Sequence, residues 1–225
     1  MKFVTYRNID GETPRFGFKR GEIIIDVIRS GIWVNENKKD SSFLTIPTTL
    51  KLALVNWDRN FSKLKNLNQV IPDTNLSSME VDKKPIAIKE SEADLLPPVT
   101  NPNTFRDFYA FEQHVKAARK LRGLKMHPDW YKLPIFYFSN PTTLYGHGEI
   151  VPYPTGTEEL DFELEFAIII ANGGQNIKKE NADKMIAGYT ILNDWSARDL
   201  QREEMQLNLG QQRVKTSQIV LVLIW

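Results

Sequence analysis

The chain has 225 residues, 41% of them hydrophobic and 25% charged, which excludes wholesale disorder and allows one large domain or two modest ones. Lysine and arginine number 29 against 28 acids, a net charge of +1, so there is no bulk field for a nucleic-acid backbone or an anionic membrane, and neither partner is expected. The sequence has no cysteine, which removes disulfides, thiolate zinc sites, iron–sulfur clusters and cysteine nucleophiles, and the expected compartment is the reducing cytoplasm.

The opening MKFVTYRNIDGE does not read as a secretory signal, and the longest aliphatic run, IVLVLIW, is too short to span a bilayer. RFGFKRGEIIIDVI reads as two strands that turn at Arg20 and Gly21. Leu50, Ala53 and Leu54 have helical spacing and lead into a lysine- and asparagine-rich helix or loop. From Pro72 to Pro102 prolines, acids and small polar residues follow no sustained period, as in a linker or a packed connecting segment. The expected boundary lies near residue 100, with a small N-terminal α/β domain over 1–100, linker included, and a second domain over 101–225.

Beyond that boundary, Thr104 is expected to cap a helix running from Phe105 to Gly123, with Asp107 as the capping-box partner and Gly123 as the stop. LPIFYFSNPTTLYG is strand-like and broken at Asn-Pro, and LDFELEFAIII alternates before turning fully apolar. NADKMIAG predicts a short helix, and YTILNDW a strand entering a helix over SARDLQREEMQL. Mixed strands and helices with little βαβ rhythm point to an α+β, mostly β catalytic domain.

LDFELEF is the most informative stretch. Strand alternation puts Asp161, Glu163 and Glu165 on one face and Phe162, Leu164 and Phe166 on the other. Repulsion between neighbouring carboxylates becomes attraction around a divalent cation, and an oxygen-only donor set selects magnesium, calcium or manganese. The plainer alternative is a strand with a solvated acidic outer face and an apolar inner face. Asp194 ends an apolar strand just before a helix, where it can ligate or cap; Ser196 with Asp199 also fits a capping box. Asp107 and His114, two helical turns apart, would share one helix face roughly 10 Å apart along the axis. His127 and His147 read as structural or exposed.

DFYAFEQH, LPIFYFSNP, DFELEFA and NDWSARDLQ together resemble the fumarylacetoacetate hydrolase family over roughly residues 100–210. The resemblance implies a rolled β-sandwich catalytic domain with Asp107, Glu163, Glu165 and Asp194 as ligands of Mg2+, or of Ca2+ or Mn2+. It implies His114 as the catalytic base, Gln201 and Lys215 as donors to a developing oxyanion, and Tyr109, Arg122, Tyr137 and Arg198 as lining the substrate pocket. The implied substrate is a small acidic keto acid, an acylpyruvate or diketo acid of aromatic catabolism. Its C–C bond would be cleaved by water activated at His114, with the metal as Lewis acid. Isomerases of the 2-hydroxyhepta-2,4-diene-1,7-dioate type, hydratases and decarboxylases share the family, and a homodimer is implied for the full-length form.

After Gly210 the text departs from the family pattern. Restoring one base before Gln211 permits Pro-Ala-Lys-Gly-Lys-Asp-Phe-Ala-Asn-Ser-Leu-Gly-Pro-Tyr-Leu, close to the family text, so the end of the chain is expected to be a shifted reading frame. The domain would then be incomplete, Lys215 a coincidence of the slip, and an inactive remnant the competing reading. LDFELEFAIII would expose an edge and its apolar face, and IVLVLIW would be aggregation-prone.

Overall fold

A computed structural model describes residues 1–8 and 13–207, and the main chain of 219–224. The first half is built on strands β1 (Lys2–Asn8), β2 (Arg15–Arg20) and β3 (Ile23–Asp26). β2 and β3 form the expected hairpin, with Gly21 at φ +58° in the turn, a conformation that costs glycine little. Helix α1 (Val27–Lys38) follows at once, and Asp26 caps it by accepting from the Arg29 amide at 2.7 Å. Asp26 is 1% exposed, so its charge needs further donors. The Tyr6 hydroxyl at 2.8 Å and an ion pair with Arg15 supply them. Burial first, and then the Asp26 charge, pushes the Tyr6 phenol well above its ordinary range.

Helix α2 (Leu50–Leu54), capped by Thr49, and helix α3 (Trp57–Val70) follow the sequence expectation, including Leu50, Ala53 and Leu54 turned inward. They share a hydrophobic core with Phe3, Phe16, Phe18, Ile25 and Val34. The stretch after Pro72 is a packed segment. It holds the small hairpin β4 (Glu80–Val81) and β5 (Lys84–Pro85), then β6 (Ala87–Lys89) and β7 (Ala93–Leu96). β6 and β7 supply the two outer strands of an antiparallel sheet ordered β6-β3-β2-β1-β7. Ile86, Ala87 and Leu95 are buried, which no irregular sequence period foretold.

The second half corrects the expected helix over 105–123. Phe105–Phe108 is a strand, β8, and helix α4 spans only Glu112–Leu121, with Phe111 at its N-cap and no side-chain cap. Thr104 and Asp107 therefore form no capping box, and the two-turn argument linking Asp107 to His114 fails. The reason is pairing: β8 lies antiparallel to β9 (Phe136–Ser139), and that long-range pairing overrides the helical i, i+3 spacing of Phe105 and Phe108. Gly123, at φ +70°, does end the helix.

The chain then passes through β10 (Leu144–Tyr145), β11 (Leu160–Asp161) and β12 (Leu164–Ile170). The expected short helix of NADKMIAG is a 3₁₀ turn over Lys179–Met185 that ends as β13 (Ile186–Asp194) begins. After β14 (Ser196–Ala197), helix α5 (Arg198–Met205) starts from Ala197 without a side-chain cap. Ser196 donates to the Asp194 carbonyl at 3.3 Å and Asp199 turns to Thr157 and the Glu158 amide, so the Ser196–Asp199 capping box is not formed. β15 (Ile219–Ile224) lies parallel to β10 and antiparallel to β13, in a sheet ordered β10-β15-β13-β12. Most of the segment expected to be frame-shifted, 211–218 and Trp225, lies outside the described residues; the IVLVLI part is this strand.

The two halves meet at β10 and β12. Ile169, Ala171 and Ala187 pack against the N-terminal core, and Gly146 lies so close to β7 that a Cβ there would stand 1.9 Å from the Leu95 carbonyl oxygen. Gly146→Ala should therefore lower the unfolding free energy by about 1–3 kcal/mol. Gly173→Ala, where a Cβ meets nothing within 4 Å, should change it by less than about 0.5 kcal/mol. Urea denaturation of both variants checks this contact, and equal stabilities would contradict it.

Candidate active site

Two pieces of antiparallel pairing assemble the site. In the antiparallel β8–β9 pair Asp107 stands directly opposite Tyr137, so their side chains project to the same side. Between β12 and β13 the register pairs Leu164 with Asn193. One step outward, Glu163 and Asp194 exchange both backbone hydrogen bonds, at 3.2 and 2.9 Å, and so also share a side. Glu165, opposite Leu192, follows on that face by alternation.

Tyr137 joins the two pieces. Its hydroxyl reaches Asp107 Oδ2 at 2.8 Å and also Asp194 Oδ2. A phenol has one proton to donate, yet here it faces two carboxylates, one of them 1% exposed. Burial and the charges of Asp194 and Asp107 push the Tyr137 phenol far above its ordinary range, so the proton stays on the phenol oxygen.

Arg198 closes the other side. Its Nε and Nη2 both lie 2.8 Å from Asp161 Oδ2, while Nη1 lies 2.8 Å from Glu163 Oε1 and 3.1 Å from Gln201 Oε1. Burial opposes the guanidinium charge, but Asp161 and Glu163 outweigh it and raise its proton affinity. Backbone pairing sets this up: Asp161 is opposite Ser196 and the Arg198 amide donates to the Glu159 carbonyl at 2.9 Å. Asp199 ties α5 down, and hydrogen bonds from Thr157 and the Glu158 amide pull its carboxyl to about 2.

Thus Asp107, Tyr137, Glu163, Asp194, Arg198 and Gln201 come together, with Glu165 beside them on the strand face. His114 does not join the carboxylates: it is exposed on α4, with its ring edge-on to Tyr109 at 5.8 Å, and among the described residues it makes no hydrogen bond or ion pair. Arg122 is exposed at the end of α4 and donates to its own helix at Ala118. His127 and His147 are exposed as expected, His127 accepting from the Asp129 amide. Lys215 lies outside the described residues. Tyr109 lines a cleft of about 330 Å³ with Phe108, Trp130, Tyr131, Leu133 and Ile135. The Trp130 indole donates to the Tyr109 carbonyl at 2.8 Å, a support that HPDW did not reveal. Asp161, read only as one of the strand's acids, is the main anchor of Arg198.

Among the described residues no three histidine, aspartate or glutamate side chains form a group that could hold a metal ion. The carboxylates are instead engaged in pairs, Asp107 and Asp194 on Tyr137, Asp161 and Glu163 on Arg198. In donor type the set fits a hard divalent ion: all oxygen, and concentrated where one phenol proton must serve two acids.

The apolar face of LDFELEFAIII is exposed, as expected for that strand. On β12 the apolar side faces outward, Leu164 being 77%, Phe166 59%, Ile168 48% and Ile170 52% exposed, while Asp161, Glu163 and Glu165 are part-buried. The solvated acidic face is not what forms.

Fold and site together define a mixed, mostly β chain with an acidic centre at the junction of a two-stranded antiparallel pair and a sheet. Its fold matches maleylpyruvate hydrolase from Sphingobium sp. SYK-6, solved with manganese(II) and pyruvate, at TM-score 0.59 and 16% identity over 98% of this chain and 65% of that one. The family model for the fumarylacetoacetate (FAA) hydrolase C-terminal region matches residues 103–223, more than half of the chain, and the chain belongs to that family. Fumarylacetoacetase of Arabidopsis thaliana is 26% identical over 91% of this chain and 54% of its own length. Oxaloacetate tautomerase YisK of Bacillus subtilis is 42% identical over 34% of this chain and 26% of its own. The chain spans about half or less of the length of these curated relatives. No described helix is long and apolar enough to cross a membrane.

Tyr137→Phe removes the hydroxyl but keeps the ring. Without the shared proton Asp107 and Asp194 repel, so the metal-free variant should lose about 1–3 kcal/mol of stability. Denaturant titration in a chelating buffer checks this; a change below about 0.5 kcal/mol would contradict the bridging role.

Proposed function

We propose that this chain carries the metal-assisted site of an enzyme acting on small acidic keto compounds, and that its reaction is hydrolytic C–C cleavage of an acylpyruvate or related diketo acid. The observation that carries the reading is the meeting of Asp107 and Asp194 at one phenol oxygen, with Glu163 paired across the strand from Asp194. Asp107, Glu163, Glu165 and Asp194 would hold a divalent ion, magnesium, manganese or calcium, which when bound supplies Lewis-acid polarisation of the substrate oxygens.

The remaining work falls to the chain's own side chains. Arg198 presents a planar, permanently charged fork suited to a carboxylate, and Gln201, its 3.1 Å partner, orients it and can donate through its amide nitrogen. His114, beside Tyr109 at the aromatic cleft, is the group assigned to take the proton from water. The aromatic lining of the cleft excludes water from the apolar part of the substrate. A keto–enol tautomerase or isomerase is the second reading, favoured by the local 42% identity to an oxaloacetate tautomerase; both develop enolate charge, which a cation held by these carboxylates would offset.

Asp194→Asn tests the site itself. Loss of a buried charged ligand should weaken manganese binding by about a hundredfold or more, beyond the effect usual for outer-sphere partners. Calorimetry measures the affinity, and loss of acylpyruvate absorbance measures turnover, which should fall with it. Unchanged manganese affinity would remove the site. Turnover of oxaloacetate enol with none of acylpyruvate would select the second reading.

A further inference from the structure

The carboxylate face contains its own cation. Arg198 is the first residue of α5, a position where the helix dipole disfavours positive charge. It is held there by acids: Asp161 takes Nε and Nη2, and Glu163 takes Nη1. Both the guanidinium and the Glu163 carboxylate are largely shielded from water, so the pairing between them is weakly screened by solvent. Resting on the reading that Glu163 is a metal ligand, we infer that Arg198 is an internal competitor of the divalent ion: it pairs with Glu163 while the site is metal-free and must give that carboxylate up for metal to bind. Asp161 and Gln201 keep the guanidinium in place when Glu163 is withdrawn, so the exchange needs a change at one arm of the fork and no movement of α5.

The competition sets the sign of a measurable effect. Removing the guanidinium leaves Asp161 and Glu163 repelling each other in the metal-free protein and removes a positive charge from beside the bound ion, and both changes favour the metal. Arg198→Gln should bind manganese about tenfold more tightly than the unsubstituted chain, the scale of one charge-assisted hydrogen bond no longer surrendered. Arg198→Lys keeps the charge but cannot span both acids, so its affinity should lie between the two. Manganese titration by calorimetry, with electron paramagnetic resonance counting the free ion, reads all three. An affinity in both variants equal to or weaker than that of the unsubstituted chain overturns the competitor role while leaving the metal site standing. Should Arg198→Gln not fold, Arg198→Lys alone decides, with any tightening supporting the competition and none overturning it. Absence of manganese binding in every protein, unsubstituted chain included, overturns the metal-site reading and this inference with it.

Discussion

One phenol proton between two carboxylates is the constraint on which the candidate site depends. Asp107 comes from a two-stranded antiparallel pair and Asp194 from the end of a sheet strand, and Tyr137 is where the two meet. Neither carboxylate is positioned by local sequence. Each is placed by strand register, and a slip of one residue in β8–β9 or β12–β13 would turn its acid to the opposite face. The arrangement is electrostatically expensive in the metal-free chain, because two carboxylates approach one phenol oxygen that has one proton to donate, in a part-buried setting. Such a cluster persists only where the surrounding backbone over-determines it, and the exchanged hydrogen bonds of Glu163 with Asp194 do that here.

Arg198 offsets part of the acidic charge from the other side. Tyr137 and Arg198 divide the acids between them, Asp107 and Asp194 to the phenol, Asp161 and Glu163 to the guanidinium. Specialised chemistry and metal-free stability thus draw on the same side chains. The N-terminal half contributes at a distance: its core receives Ile169, Ala171 and Ala187, which fixes the far ends of the two strands whose near ends carry Glu163 and Asp194.

Much of this was legible in the sequence, and the failures have physical causes. The Arg20–Gly21 hairpin was readable because a positive-φ turn between two alternating strands has one economical residue. The acids of LDFELEF were readable as a shared face because a strand period of two leaves no other arrangement. The helix expected over 105–123 does not form at its start because the helical i, i+3 spacing of Phe105 and Phe108 is overridden by long-range pairing with Phe136–Ser139. Alternation defines two faces of β12 without saying which is covered, so the exposed apolar face and the solvated acidic face both stood open, and the apolar one meets solvent. His114 fits its motif in sequence but stands apart from the carboxylates, since the strand at Asp107 replaced the helix that would have linked them.

The most direct test of the central claim is anomalous diffraction at the manganese edge from crystals of this chain soaked in manganese. A peak is expected among Asp107, Glu163, Glu165 and Asp194, with the Tyr137 hydroxyl no longer bridging Asp107 and Asp194. Tyr137 still spanning both carboxylates at saturating manganese, with the ion bound elsewhere or nowhere, would contradict it.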